Sequence, residues 1–191
     1  MAWLGDNIIE IGEPIVEGGA VDRFVKRFGS HMSSIAVQVG DIEATLEFLA
    51  QNNVRVSSRI DDHIVFTNPA DTAGVVIEWF GDEDSHDPRF GGPMPSVVVD
   101  PVLDVTAMAF GGAVVHEPVL AARRLATLFD RDVTFVRPDA LAGYPEAGVS
   151  MGDMTLALYP MPAADESQRL WGWQYSRPQT NNLGVLVSIS Q

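Results

Sequence analysis

Two glutamates set among apolar neighbours are the residues in this chain best suited to move a proton or hold a cation. In Gly74-Val75-Val76-Ile77-Glu78-Trp79-Phe80, strand alternation puts Glu78 on one face with Val76 and Phe80; in Asp6-Asn7-Ile8-Ile9-Glu10-Ile11-Gly12, Glu10 follows Ile8. A carboxylate on such a face is costly unless it is ion-paired or bound to a metal. Each is therefore a working group, a solvated edge residue, or the partner of a cation such as Arg55, Arg59 or Arg177. The stretch Ser33-Ser34-Ile35-Ala36-Val37-Gln38-Val39 alternates, with Ser34, Ala36 and Gln38 on one face, where Gln38 could hydrogen-bond a ligand carbonyl or simply sit at a sheet rim. The histidines are scattered. His31 lies three residues before Ser34 and so faces the other way, His63 begins a strand, His86 falls in an acidic linker, and His116 caps a strand end. Cysteine is absent, which excludes disulfides, thiolate nucleophiles, zinc–thiolate sites and iron–sulfur clusters. No phosphate-binding glycine loop, His-Glu-x-x-His or Gly-x-Ser-x-Gly motif occurs.

The elements that carry these residues follow one order twice. The strand around Ile35–Val39 precedes a helix opened by Asp41 as N-cap, with Glu43 in its first turn, Ile42, Leu46 and Leu49 at helical spacing, and Asn52-Asn53 as its stop. Strands at 54–58, 63–67 and 74–80 follow, punctuated by Asp61-Asp62 and Asn68-Pro69. The same β-α-β-β-β order recurs as a strand at 112–115, a helix at 117–129 and strands at 133–136, 147–151 and 155–159. Aligning Val39-Gly40-Asp41 with Val115-His116-Glu117 gives an offset of 76, and Glu78 with Ala157 an offset of 79, the mark of an internal duplication.

This organisation divides the chain into a terminal strand and connection at 1–30, a first complete unit at 31–80, a linker at 81–104, a second unit at 105–160, and a tail at 161–191. Asp6–Gly12 reads as the last strand of an earlier unit, and Leu183–Ser190 as the first strand of a later one. Residues 161–182 read as a loop bearing Trp171, Trp173 and Tyr175. Unpaired strands at both ends invite edge pairing, so a homo-oligomer is expected.

Composition narrows the partners. Of 191 residues, 26 are acidic and 12 basic, a net charge of −14, and this field repels phosphate backbones; nucleic-acid binding is not expected. No apolar run approaches the roughly 18 residues that span a bilayer, and the first residues lack a signal-peptide pattern, so no membrane association and a cytoplasmic location are expected.

Several segments resemble a known superfamily. These are Gly5–Pro14, Arg27-Phe28-Gly29, Ser34–Asp41 and Phe66–Trp79, which look like methylmalonyl-CoA epimerase and glyoxalase relatives of the vicinal oxygen chelate superfamily, over residues 5–80 well and 105–160 more loosely. The resemblance implies an α+β fold in which tandem β-α-β-β-β units form curved mixed sheets around a cleft. It also implies a divalent metal held by a histidine on each first strand and a glutamate on each last strand, with proton transfer at a small oxygenated or acyl-CoA substrate. Carried over, Glu78 and Glu10 match the glutamate position, Ala157 stands at the second unit's, and Ser34, Phe110 and Gly184 stand where histidine is expected. The implied site therefore comprises Glu78 as catalytic group or metal ligand, Glu10 as a second ligand, and Ser34, Gln38, Phe80 and Phe110 against the substrate. Three functions follow: a metal-assisted isomerase, epimerase or lyase; a metal-free small-molecule binder like the bleomycin-resistance proteins; or a dioxygenase-like piece of a longer protein.

Overall fold

The structure, a computed structural model, describes residues 2–4, 7–29, 32–81, 107–138, 145–152, 154–160, 171–176 and 186–187. The first unit runs β3 (Ile35–Val39), α2 (Ile42–Gln51), β4 (Val56–Ile60), β5 (Ile64–Thr67) and β6 (Ile77–Gly81), preceded by β1 (Ala2–Leu4), β2 (Asn7–Ile9) and α1 (Ala20–Phe28). The second runs β7 (Ala107–Val115), α3 (Pro118–Phe129), β8 (Val133–Pro138), β9 (Pro145–Ser150) and β10 (Thr155–Pro160), followed by β11 (Trp171–Ser176) and β12 (Leu186–Val187). The expected α+β architecture of curved, open mixed sheets is present.

Sheet order is β3-β6-β5-β4 in the first unit and β7-β10-β9-β8 in the second, with β12 and β11 extending the latter beyond β7. In each unit the first and last strands pair in parallel while the other neighbours are antiparallel. The registers superimpose: Ile35 opposite Ile77 corresponds to Gly111 opposite Leu156, preserving the sequence offsets of 76 and 79. Even an irregularity repeats, since the register shifts between Val56 and Ser58 and again between Val133 and Phe135. A bulge shared by both copies bends both sheets at the same place.

Local chemistry explains the elements. The Asp41 side chain accepts a hydrogen bond from the Ala44 amide at 3.0 Å and caps α2, and Asn52 closes it. In the second unit Pro118 starts α3, where its missing N–H is no loss, and Asp130 ends it in the left-handed conformation. Each sheet buries one face against its helix. Ile35, Val65, Ile77 and Trp79 meet Ile42 and Leu49 in the first unit, while Ala113, Val149, Leu156 and Leu158 meet Ala122, Leu125 and Leu128 in the second. The two sets form one continuous core. At their junction the Trp79 and Phe129 rings lie 5.8 Å apart, and Arg124 of α3 donates to the backbone carbonyls of Asn52 (2.7 Å) and Asp71 (3.2 Å). Asn52 caps the end of α2 and Asp71 ends a 3₁₀ turn, so a guanidinium supplies donors to carbonyls at the ends of two helical segments.

The described ends of the chain add strands to this plan. Within Asp6–Gly12, β2 is antiparallel to β1, with Leu4 opposite Asn7, in a separate two-stranded sheet, as the last strand of each complete unit is antiparallel to its third. Residues 161–182 include a strand rather than only a loop, because Trp171–Ser176 takes the open edge of β7, a favourable place for an aromatic-rich segment. Within Leu183–Ser190, Leu186–Val187 pairs antiparallel to β11. The helix α1 was not foreseen, although Val21, Phe24, Val25 and Phe28 recur at helical spacing and Lys26 pairs with Asp22 one turn away.

Asp71 tests how the first unit is tied together. Its carboxylate accepts the side-chain hydrogen bonds of Arg55 (2.8 and 2.9 Å) and the Arg55 backbone N–H (2.9 Å), which hold its pKa at about 2, below the ordinary 3.8. A lowered folded-state pKa stabilises above 3.8, and the contribution is lost as pH falls toward 2. Urea unfolding at several pH values is expected to show a shallower loss of stability across that window for Asp71→Asn than for the native chain.

Candidate functional site

Residues opposite one another in adjacent strands share a face, so register defines what surrounds Glu78. It lies opposite Ala36 of β3 and Phe66 of β5, and Phe80 lies opposite Gln38 and Ile64. This face is the one turned away from α2. Glu78 and Phe80 are nevertheless only 9% and 8% exposed, whereas Ala36 and Gln38 on the neighbouring strand are exposed and Phe66 is half-buried. Side chains on the inner strand are thus sheltered while those of the edge strand β3 are open. The Glu78 carboxylate lies on that inner strand, opposite Ala36 and Phe66.

The expected residues distribute unevenly. Glu78, Phe80 and Gln38 share this face, and Ser34 precedes β3, half-buried. Glu10 is exposed and follows β2, whose partner strand among the described residues is β1. Phe110 is on β7 opposite Thr155, the counterpart of Ser34 beside Val76. Gly184, His31 and His86 lie outside the described residues. His63 is half-buried ahead of β5, and exposed His116 contributes to a shallow depression of about 230 Å³ lined also by Pro118, Leu120, Pro145 and Pro160, none of them a residue of the Glu78 face. Two of the arginines weighed as partners of Glu78 bind other carboxylates. Arg55 binds Asp71, and Arg59 binds Glu43 (2.7 Å) and Asp62 (3.0 Å).

A divalent ion needs about three or four protein donors converging on one point. Among the described residues no three histidine, aspartate or glutamate side chains come together in that way. The second unit places Gly112 and Ala157 where the first has Ala36 and Glu78. The donors among the described residues do not fit the implied metal centre.

Sequence reading missed a second polar cluster, on the corresponding face of the second unit. Arg137 of β8 is opposite Glu146 of β9, and Phe135 is opposite Gly148. Arg137 Nε donates to the Glu146 carboxylate, and the guanidinium carbon lies 4.6 Å from the centre of the Phe135 ring. A Cβ at Gly148 would collide with that ring. The available signal was the strand pattern Val133–Pro138, in which Phe135 and Arg137 alternate to one face.

No family model and no curated protein matches the sequence. Solved structures do match the fold. A xylose isomerase-like TIM barrel/4-hydroxyphenylpyruvate dioxygenase fusion protein aligns over 85% of this chain and 27% of its own length, at 13% identity and a TM-score of 0.58. A lactoylglutathione lyase from Agrobacterium tumefaciens aligns over 68% of this chain and 92% of its own, at 11% identity and a TM-score of 0.38. The fosfomycin resistance protein FosX from Listeria monocytogenes aligns over 70% and 95%, at 16% identity and 0.38. Of the three, the first, with its TM-score of 0.58, bears on the fold. Together with the duplicated β-α-β-β-β topology, it gives this chain a glyoxalase-like fold. This chain spans about a quarter of that fusion protein, matching 27% of its length.

The stack at Gly148 yields a specific expectation. Gly148→Ala should destabilise the native chain by about 1–3 kcal/mol through overpacking against Phe135. In a Phe135→Ala background the same change should cost under about 0.5 kcal/mol, because the clashing atoms are gone. A double-mutant cycle from chemical denaturation measures the difference.

Proposed function

We propose that this chain binds a small organic molecule in the hollow over β6, with the Glu78 carboxylate as polar anchor and Phe66 and Phe80 as apolar walls. The observation that carries this reading is the burial of Glu78 on the sheet face opposite the core, where the described residues do not complete a metal centre. A carboxylate set among apolar side chains favours ligands that offer a hydroxyl, ammonium or amide donor. Sequestration of such a ligand needs no further catalytic group. An isomerase or epimerase would use the same carboxylate as the base that takes a proton from carbon.

A second reading has its own support. The match to the dioxygenase fusion protein covers 85% of this chain but 27% of that protein. On this reading the two units are a segment of a larger glyoxalase-fold assembly, and self-association or further units of a longer chain would complete the site.

Tryptophan fluorescence separates these outcomes, because Trp79 adjoins Glu78 in β6. Titration with a panel of small ligands is expected to give saturable, one-to-one binding for donors of a hydrogen bond. Glu78→Gln should weaken that binding about tenfold or more, a change of about 1.4 kcal/mol. Equal affinity in the variant, or no saturable binding by any donor ligand, would remove the proposal; turnover of the bound ligand would replace sequestration by proton-transfer catalysis.

A further inference from the structure

The second unit's open face differs from the first in four register-matched positions at once. Ser58, Ile60, Ile64 and Phe66 of the first unit correspond to Phe135, Arg137, Glu146 and Gly148 of the second. The changes are reciprocal. The aromatic ring leaves the third strand, where glycine replaces it, and reappears on the second strand, where it lies over that glycine. Above the ring sits the Arg137 guanidinium, 4.6 Å from its centre, held at Nε by Glu146.

Stability alone does not account for this arrangement. Glu146 is 8% exposed, so its charge has been taken largely out of water. Ion pairs of this kind are generally no more stabilising than well-packed aliphatic residues, and the twin unit has isoleucine at both positions. What the stack does achieve is orientation. A guanidinium lying over an aromatic ring and fixed at Nε has lost most of its rotamer freedom, so little remains to be lost when it binds. Arg137 is 60% exposed, and its other N–H groups meet no acceptor among the described residues. Planar and pre-oriented, they match the two oxygens of a carboxylate or phosphate.

We infer that the Phe135–Arg137–Glu146 stack is an oxyanion-binding site on the second unit, separate from the Glu78 hollow, that takes a small carboxylate or phosphate. Glu146 is its positioning residue, and Gly148 is what allows the ring to lie flat. In a chain of net charge −14 a single exposed arginine attracts anions weakly, so recognition depends on the geometry of the fork more than on the overall field.

The full chain titrated at constant ionic strength with inorganic phosphate and, separately, with benzoate tests this. Isothermal calorimetry gives affinity, and the Arg137 side-chain N–H resonances locate the contact. Saturable binding of either anion with a shift of those resonances is expected, and the tighter of the two identifies the headgroup. Arg137→Lys keeps the charge but removes the planar fork. It should weaken binding about tenfold or more with an unchanged melting temperature. Gly148→Ala, which lifts the ring, should weaken it too, whereas Glu78→Gln should leave it unchanged. Absence of saturable binding for both anions, or equal affinity in Arg137→Lys, would overturn the inference.

Discussion

Parallel pairing between the first and last strand of each unit is the constraint from which the rest of this structure follows. Two parallel neighbours cannot be joined by a tight turn, so the chain must leave β3, cross over through α2, and return by way of two antiparallel strands before β6 can dock. That detour assigns the faces: the helix covers one side of the sheet, and the other is left open. It also makes register decisive. A slip of one residue between β3 and β6 would carry Glu78 into the core and Ile77 out of it. Burying Ile35, Ile77 and Trp79 against Ile42 and Leu49 therefore fixes where the carboxylate goes, although none of those residues belongs to the site.

Duplication turns the same constraint into an experiment with an internal control. Both copies preserve pairing, crossover and bulge, while the open faces have diverged. In the first, a carboxylate occupies the last strand, and Gln38 of β3 lies opposite Phe80 two residues on. In the second, that carboxylate position is Ala157, and a different one, Glu146, has arisen a strand away and two residues along, matched by an arginine. Core positions changed mostly within the apolar class, from Ile77 to Leu156 and from Val65 to Ala147, with buried Thr67 replaced by Val149. The helix-facing side holds the fold, and the open side is free to vary in chemistry.

This division explains what the sequence discloses and what it hides. Alternation in Ser33–Val39, the Asp41 cap and the Asn52 stop are local signals with local causes, and α2 matches them to the residue. The offsets of 76 and 79 carry the non-local pairing, because a repeated pattern implies a repeated register. The terminal segments offered no repeat to compare against. A short apolar run such as Asn7–Ile9 has the same alternation whichever strand it joins, and only the partner, here β1, decides its place. Trp171–Ser176 was hidden for the same reason: a strand that completes an open edge is defined by the edge. In the site, Glu78 was visible as an acid among apolar residues. The Arg137 cluster was not, since its four members are spread over two strands and meet only through the register of β8 and β9.

Joining the two units places a further demand on the first. Its 3₁₀ turn at Pro69–Asp71 and the end of α2 both present carbonyls to Arg124, and Asp71 also binds Arg55 at the start of β4. The connection between β5 and β6 is thus anchored to its own sheet by charge and to the neighbouring unit by a buried-side hydrogen bond. Thr67 and Thr72 satisfy further backbone groups there, Thr67 by both accepting from and donating to Ile77. A loop held at this many points cannot swing, so β6 enters the sheet from a fixed direction. The position of Glu78 is set from behind, by the junction with the second unit, as much as by the strands beside it.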